Sequence, residues 1–189
     1  MGEVAGMSAK DYGADGIDIQ TAMIRHVKAH PDRTRRPMYI LWNGQAVWTS
    51  YNLAVPEEGR FRLEFLSEPT QPAQGVDVKA EGGRIALAGG ESVQTLRTWH
   101  DVRYEEAVEY LYKSRAGLLS IWNVYHRHWP DGRVTEEKWT GNAGFLVEQV
   151  GHDRWVFRCS DGPAESPDFG RLTFRVSVKE PPDCAGTGT

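Results

Sequence analysis

Residues 38–55 read "MYILWNGQAVWTSYNLAV", and this stretch decides the fold class. Asn43 and Gly44 suit the two central positions of a type I′ turn, because both positions need a positive φ angle. A two-residue loop also sets the register of the two strands around it. The expected pairs are Trp42 with Gln45, Ile40 with Val47, and Tyr39 with Trp48.

Both faces of this predicted hairpin are apolar. One face carries Met38, Ile40, Trp42 and Val47, and the other carries Tyr39, Leu41, Ala46 and Trp48. A hairpin with one solvent-exposed face would instead alternate apolar and polar residues. We therefore expect other parts of the protein to cover both sides of it.

Further segments of strand character follow at short spacing, separated by turns rich in Gly and Pro. They are residues 60–66, 75–80, 84–88, 93–99, 118–129, 133–141, 145–151, 154–160 and 171–178. This pattern predicts an all-β fold, either an antiparallel barrel or a closely packed sandwich of about 8–10 strands. We favour the barrel, because one apolar face of the first hairpin would then line a cavity. A calycin-like barrel is the nearest architecture in general shape, although no calycin signature motif is present.

Two segments interrupt the strand pattern. Residues 17–29 predict an N-terminal helix, with Asp18 as its cap and Pro31 beyond its end, although alternation there also permits a strand. The segment "DVRYEEAVEYLYK", residues 101–113, predicts one short internal helix.

The chain reads as one domain with mobile ends. We expect a flexible N-terminus over residues 1–14, a single β-rich domain over 15–178, and a disordered C-terminal tail over 179–189.

Composition and charge limit the classes of partner that we expect for the protein. With 40% hydrophobic and 25% charged residues, the chain is typical of soluble globular proteins. Its net charge is −4 and its one dense basic cluster is "DRTRRP", so no nucleic-acid partner is expected. No apolar run reaches membrane-spanning length, which predicts no membrane partner and a cytoplasmic location. Cys159 alternates in phase with Trp155 and Phe157, which predicts a buried thiol, and Cys184 lies in the predicted tail.

The most informative stretch for function is "IWNVYHRHWPDGRVTEEKW", residues 121–139. Its Pro-Asp-Gly turn predicts a second hairpin in which His126 lies opposite Glu136. Alternation then separates two faces. One carries Trp122, Val124, His126, His128, Val134, Glu136 and Lys138, and the other carries Ile121, Asn123, Tyr125, Arg127, Trp129, Thr135, Glu137 and Trp139.

The first of these faces resembles a metal site in part. His126, His128 and Glu136 could together hold Fe, Mn or Zn, as in a metal-dependent cupin-like enzyme. A cupin's first motif, however, has a Glu within about five residues of its His-x-His pair. Gly132 or Arg133 stands at that position here. We therefore expect no bound metal and an outward-facing His pair, with the metal-dependent enzyme as an alternative.

The second face resembles a pocket wall, because a few polar groups lie among large aromatic rings. Arg127 is diagonal to Glu137, within reach of an ion pair. The same pattern also fits the solvent face of an amphipathic sheet, where such pairs are common and weak. We predict a ligand-binding set composed of Asn123, Tyr125, Arg127, Thr135, Glu137 and Trp139.

The sequence has no Gly-x-Ser-x-Gly elbow, no P-loop, no Gly-x-Gly-x-x-Gly motif and no Cys-x-x-Cys motif. His100 and Asp101 are adjacent, so their side chains point apart and no His–Asp dyad is expected. The long connection over residues 160–170 is typical of a rim or lid.

These observations favour a small-molecule-binding barrel with no cofactor. It would act either as a carrier or as a cofactor-independent isomerase or cyclase on a largely apolar ligand. A second alternative is a protein-interaction module with exposed aromatic residues, and a homodimer is compatible with the sequence.

Overall fold

A computed structural model of the protein describes residues 10–34, 36–101 and 107–179. This part of the chain forms one helix and fourteen strands, which confirms the all-β class. The elements are α1 (Ile19–Ala29), β1 (Tyr39–Trp42), β2 (Gln45–Trp48), β3 (Tyr51–Ala54), β4 (Glu58–Phe65), β5 (Gln74–Ala80), β6 (Arg84–Ala86), β7 (Ser92–Val93), β8 (Thr95–Trp99), β9 (Val108–Lys113), β10 (Leu118–His128), β11 (Val134–Glu137), β12 (Gly144–Gly151), β13 (Arg154–Ser160) and β14 (Leu172–Lys179).

The strands form two antiparallel sheets. The larger sheet has nine strands in the order β1-β2-β12-β13-β14-β4-β9-β6-β7. The smaller sheet has the order β11-β10-β5-β8, and β3 pairs with the first residues of β10. Within the described residues, neither sheet closes into a barrel. In the same residues, no helix is both long and apolar enough to cross a membrane.

One hydrophobic core joins the two sheets. Phe61, Phe157 and Phe174 of the larger sheet share it with Val78 and Ile121 of the smaller sheet, and all five are fully buried. The rings of Phe157 and Phe174 stack at 4.7 Å between centroids. Burial of these large apolar side chains is the main force that holds the sheets together.

The first hairpin has the predicted turn and register. Asn43 and Gly44 have φ angles of 49° and 78°, and Ile40 lies opposite Val47. The Asp11 carboxylate accepts the backbone N–H groups of Asn43 at 2.9 Å and Gly44 at 2.6 Å. These bonds stabilise the turn from outside the hairpin.

Helix α1 covers one face of this hairpin. It begins after Asp18, whose carboxylate accepts the Thr21 N–H at 2.7 Å, as the sequence predicted. Ile19 and Ala22 pack in a core cluster with Ile40, Trp42 and Val47. Met38, which was assigned to the same face, lies before β1 and is 50% exposed.

The predicted helix over residues 101–113 is wrong where the structure describes it. Residues 108–113 form strand β9, which pairs with β4 on one edge and with β6 on the other. Tyr112 is buried in the core, and Tyr110 stacks on Phe61 at 5.3 Å. Two neighbouring strands therefore override the local helix preference. Residues 102–106 lie outside the described residues.

The ends of the domain differ in part from the prediction. Tyr12 is only 3% exposed, so the packed structure already includes part of the predicted flexible N-terminus. Lys179 ends β14, so it belongs to the larger sheet rather than to a tail. Residues 1–9 and 180–189 lie outside the described residues.

Candidate functional site

Strand β10 positions most of the predicted site residues. It pairs with β5 along one edge, and with β3 and then β11 along the other. His126 lies opposite Glu136, so the predicted register is confirmed. Asn123 Nδ2 donates to Ser160 O on β13 at 3.0 Å. Asn123 and its neighbours on the same side therefore point at the larger sheet, and we call this side the inner face and the opposite side the outer face.

Four of the six predicted ligand-binding residues form one hydrogen-bond network around the Glu137 carboxylate. Glu137 accepts Thr135 Oγ1 at 3.1 Å and Thr140 Oγ1 at 2.8 Å, and lies 3.5 Å from an Arg127 nitrogen. Tyr125 Oη makes a short hydrogen bond with Thr140 Oγ1. Because the Thr140 hydroxyl proton goes to Glu137, Tyr125 is the donor to Thr140.

The Arg127–Glu137 pair lies at the rim of the inner face. The Arg127 side chain is 38% exposed, and its guanidinium also lies 4.1 Å from the Trp129 ring centre. Glu137 keeps two hydroxyl donors besides Arg127. The ion pair that the sequence placed within reach therefore forms with Arg127 partly exposed, and Glu137 does not depend on Arg127 alone.

Tyr125 is fully buried, and burial raises its pKa to about 12. Its hydroxyl therefore stays protonated over the physiological pH range. A loop over residues 161–171 packs directly on it, since a Cβ built at Gly162 would lie 1.9 Å from Tyr125 Oη. The long connection predicted as a rim or lid thus covers this end of the inner face.

Three polar residues form a row across neighbouring strands of the inner face. Tyr125 lies opposite Gln74, and the His100 backbone N–H donates to Gln74 O at 2.8 Å. Gln74 is 1% and His100 is 7% exposed, and Asn123, also on this face, is 1% exposed. Sequence reasoning missed Gln74 and His100. The available signal was Gln74, a polar residue in phase with Val76 and Val78 of the strand segment "GVDVKA".

Three buried side chains of the inner face, those of Asn123, Gln74 and His100, each have an atom with no hydrogen-bond partner among the described residues. The atoms are Asn123 Oδ1, Gln74 Oε1 and His100 Nδ1. Burial lowers the pKa of His100, so its imidazole is neutral near pH 7, and a ring nitrogen bonds the Ser67 backbone. Because Nδ1 has no partner, the nitrogen that bonds Ser67 is Nε2. A neutral imidazole carries one proton, so a ring that donates from Nε2 has Nδ1 as an acceptor.

A carboxylate completes this end of the inner face. Asp161 has a side chain that is 3% exposed, 3.4 Å from Arg171 Nε and 3.5 Å from Gln74 Nε2. We call Asn123, Gln74, His100, Tyr125 and Asp161 the inner polar cluster. Because its three unpaired atoms are all acceptors, the cluster is suited to groups that donate hydrogen bonds.

Trp139 lies apart from this cluster. Strand β11 ends at Glu137, and Trp139 has a φ angle of 60°, so the alternation of the strand does not extend to it. Its ring is 5.8 Å from that of Trp122 on the outer face, and it is 42% exposed. The prediction that Trp139 shares a face with Tyr125 is therefore wrong.

The His pair lies on the outer face without forming a metal site. His126 packs on Trp99 at 4.2 Å between ring centroids, and its Nε2 is 4.0 Å from Glu136 Oε1. Glu136 makes a short ion pair with Arg97. Among the described residues, no group of three or more His, Cys, Asp or Glu side chains is arranged to hold a metal ion. His126, His128 and Glu136 thus do not converge as the cupin-like alternative requires.

The outer face also holds a buried ion pair that sequence reasoning missed. The Asp77 side chain is 2% exposed, and both its oxygens accept Arg97 nitrogens at 2.7 Å. This carboxylate raises the pKa of the Arg97 guanidinium. A bidentate bond of this kind fixes the orientation of both groups.

Comparison with known proteins adds no assignment, because no protein-family model, curated protein or solved structure matches the chain.

Proposed function

We propose that the protein binds a small polar molecule at the inner polar cluster, beneath the loop over residues 161–171. The observation that carries this proposal is the set of three buried acceptors, on Asn123, Gln74 and His100, that lack partners among the described residues. A buried polar atom without a partner costs about 1–3 kcal/mol. A ligand that donates to several of these atoms would therefore recover a substantial binding energy.

The chemistry of the cluster favours a donor-rich ligand, such as a polyol, an amide or an amine. The two amide oxygens and the His100 nitrogen can accept O–H or N–H groups, and the Asp161 carboxylate lies beside Gln74. This lining does not suit the largely apolar ligand expected from the sequence. We therefore keep the prediction of a small-molecule ligand and propose that this ligand is polar.

The leading candidate is a binding protein or carrier that does not transform its ligand. The Tyr125 phenol is protonated and its proton is directed to Thr140, so it is not available as a base. A cofactor-independent isomerase is the second candidate, because a neutral His100 with an unpaired nitrogen could accept a proton from a ligand. The interaction-module alternative has weaker support, since Trp139 is the only exposed large aromatic side chain in the described part of the chain.

The test is a thermal-shift screen of polyols, amides and amines, followed by calorimetry on the compounds that raise the melting temperature. Gln74→Leu and Asn123→Leu should each remove binding while the protein stays folded. Asn52→Leu is the matched control, because Asn52 is an exposed amide on β3 outside the cluster. Conversion of a bound compound, followed by NMR, would identify the isomerase.

Two results would contradict the proposal. One is that no donor-rich compound binds, in which case the acceptors hold water only. The other is that Asn52→Leu weakens binding as much as Gln74→Leu does.

A further inference from the structure

A second candidate site lies at the other end of β10, where two turns meet. The cleft between them has a volume of about 600 Å³ and is lined by Gly82, Gly83, Arg84, Gln94, Lys113 and Arg115. The first turn joins β5 to β6, and the second joins β9 to β10. This cleft shares no residue with the inner polar cluster.

Close backbone contacts hold the two turns together. A Cβ at Gly83 would lie 1.7 Å from Lys113 O, so only glycine fits there. Arg115 Nε donates to Gly82 O at 2.7 Å, and Ser114 Oγ donates to Glu81 O at 3.0 Å. The walls of the cleft are therefore formed before any ligand arrives.

The cleft gathers positive charge that the described residues neutralise only in part. Arg84 and Lys113 lie directly opposite each other on β6 and β9, and like charges in that position are destabilising. Lys113 has a carboxylate partner in Glu58, at 2.8 Å, and both side chains are largely exposed.

The two arginines have no carboxylate partner within the described part of the chain. Arg84 bonds Ser92 O at 3.1 Å and Ser92 Oγ at 3.3 Å, and Arg115 bonds Gly82 O. The chain as a whole, by contrast, carries a net charge of −4. A bound anion would offset the repulsion between Arg84 and Lys113.

We propose that this cleft binds the diphosphate group of a small organic molecule. Guanidinium groups bind phosphate oxygens through two parallel hydrogen bonds, and a lysine adds a point charge. Arg84 begins β6 and Arg115 lies in the turn between β9 and β10, so the two arginines approach the cleft from different elements and together can hold two adjacent phosphates. The volume exceeds that of a diphosphate and leaves room for the rest of the ligand.

The test uses inorganic pyrophosphate as the probe, titrated into the full-length protein by calorimetry. The wild type should bind one equivalent saturably, and R84Q and R115Q should each weaken binding at least tenfold. R62Q is the matched control, because Arg62 is an exposed arginine on β4 outside the cleft. It should change the affinity less than twofold.

Melting temperatures provide an independent readout. Pyrophosphate should raise the melting temperature of the wild type and leave the melting temperature of the R84Q/R115Q double variant unchanged. Without pyrophosphate, R84Q should melt at the wild-type temperature or above, since it relieves the repulsion with Lys113. A loss of affinity in R62Q equal to that in R84Q would overturn the site, as would absence of binding at millimolar pyrophosphate. Equal binding of sulfate at matched ionic strength would overturn the diphosphate assignment.

Discussion

The replacement Arg97→Met should be among the most damaging single changes on the outer face of the smaller sheet. It removes two hydrogen bonds of 2.7 Å and leaves the Asp77 carboxylate unpaired, with a side chain only 2% exposed. Breaking one partner of a buried ion pair costs about 3–5 kcal/mol. Arg97 is itself about a third exposed, so water can reach the vacated space, and we expect the lower end, about 3 kcal/mol.

The opposite replacement, Asp77→Leu, should cost less. Arg97 keeps its ion pair with Glu136 and its contact with water, so a loss of about 1 kcal/mol is expected. The double variant has an apolar pair in place of the ions and should regain most of the stability lost in Arg97→Met.

Urea unfolding of the three variants, followed by tryptophan fluorescence, measures these differences. Arg158→Met is the matched control, because Arg158 makes a 2.9 Å ion pair with Glu148 in which both side chains are about half exposed. It should cost under about 0.5 kcal/mol. The reasoning is refuted if Asp77→Leu is more damaging than Arg97→Met, or if Arg158→Met is as damaging as Arg97→Met.

Three further predictions follow from single positions. Gly44→Val should destabilise the protein by about 1 kcal/mol or more in urea unfolding, because a β-branched residue resists the φ angle of 78° at this turn. An unchanged urea midpoint of unfolding would count against the turn. In a Cys184→Ser background, a thiol reagent should label Cys159 only after unfolding. Cys159 is fully buried, and burial raises the pKa of its thiol, so little reactive thiolate is available in the native protein. Fast labelling of the native protein would contradict this burial. Stability should fall as the pH drops below about 6.5, because burial lowers the pKa of His100 and the unfolded chain then binds a proton that the folded chain does not. Urea unfolding between about pH 5 and 7.5 should show this slope reduced in His100→Gln, and an identical slope in both proteins would exclude His100 as its source.

The turns and the strand registers around them could be predicted from the sequence. Asn43-Gly44 identified the first hairpin, and the Pro-Asp-Gly turn placed His126 opposite Glu136, as the structure has them. Turn chemistry and alternation act between residues close in the chain, so local sequence contains the whole signal. The network of Tyr125, Arg127, Thr135 and Glu137 could be anticipated for the same reason, because one hairpin supplies all four side chains.

The remaining parts of the site depend on contacts between distant segments. Gln74 and His100 line up with Tyr125 only because β5 and β8 pair beside β10. The polarity of Gln74 hints at a special role, but nothing local in either segment indicates which residues become its neighbours. Trp139 was assigned to the wrong face because β11 stops two residues before it, where the chain turns towards β12.

By itself, the sequence determined the all-β class, the two hairpins and the capped N-terminal helix, since each depends on periodicity, turn residues or a cap within a few positions. Only the tertiary structure decided that residues 108–113 form a strand, because pairing with β4 and β6 supplies hydrogen bonds that no local preference can match. It also decided which carboxylate is more deeply buried. The arginines of the two pairs are similarly exposed, at 34% for Arg97 and 38% for Arg127, but Asp77 is 2% exposed and Glu137 is 16% exposed. Burial of this kind depends on what distant parts of the chain place around each carboxylate, and not on the local sequence.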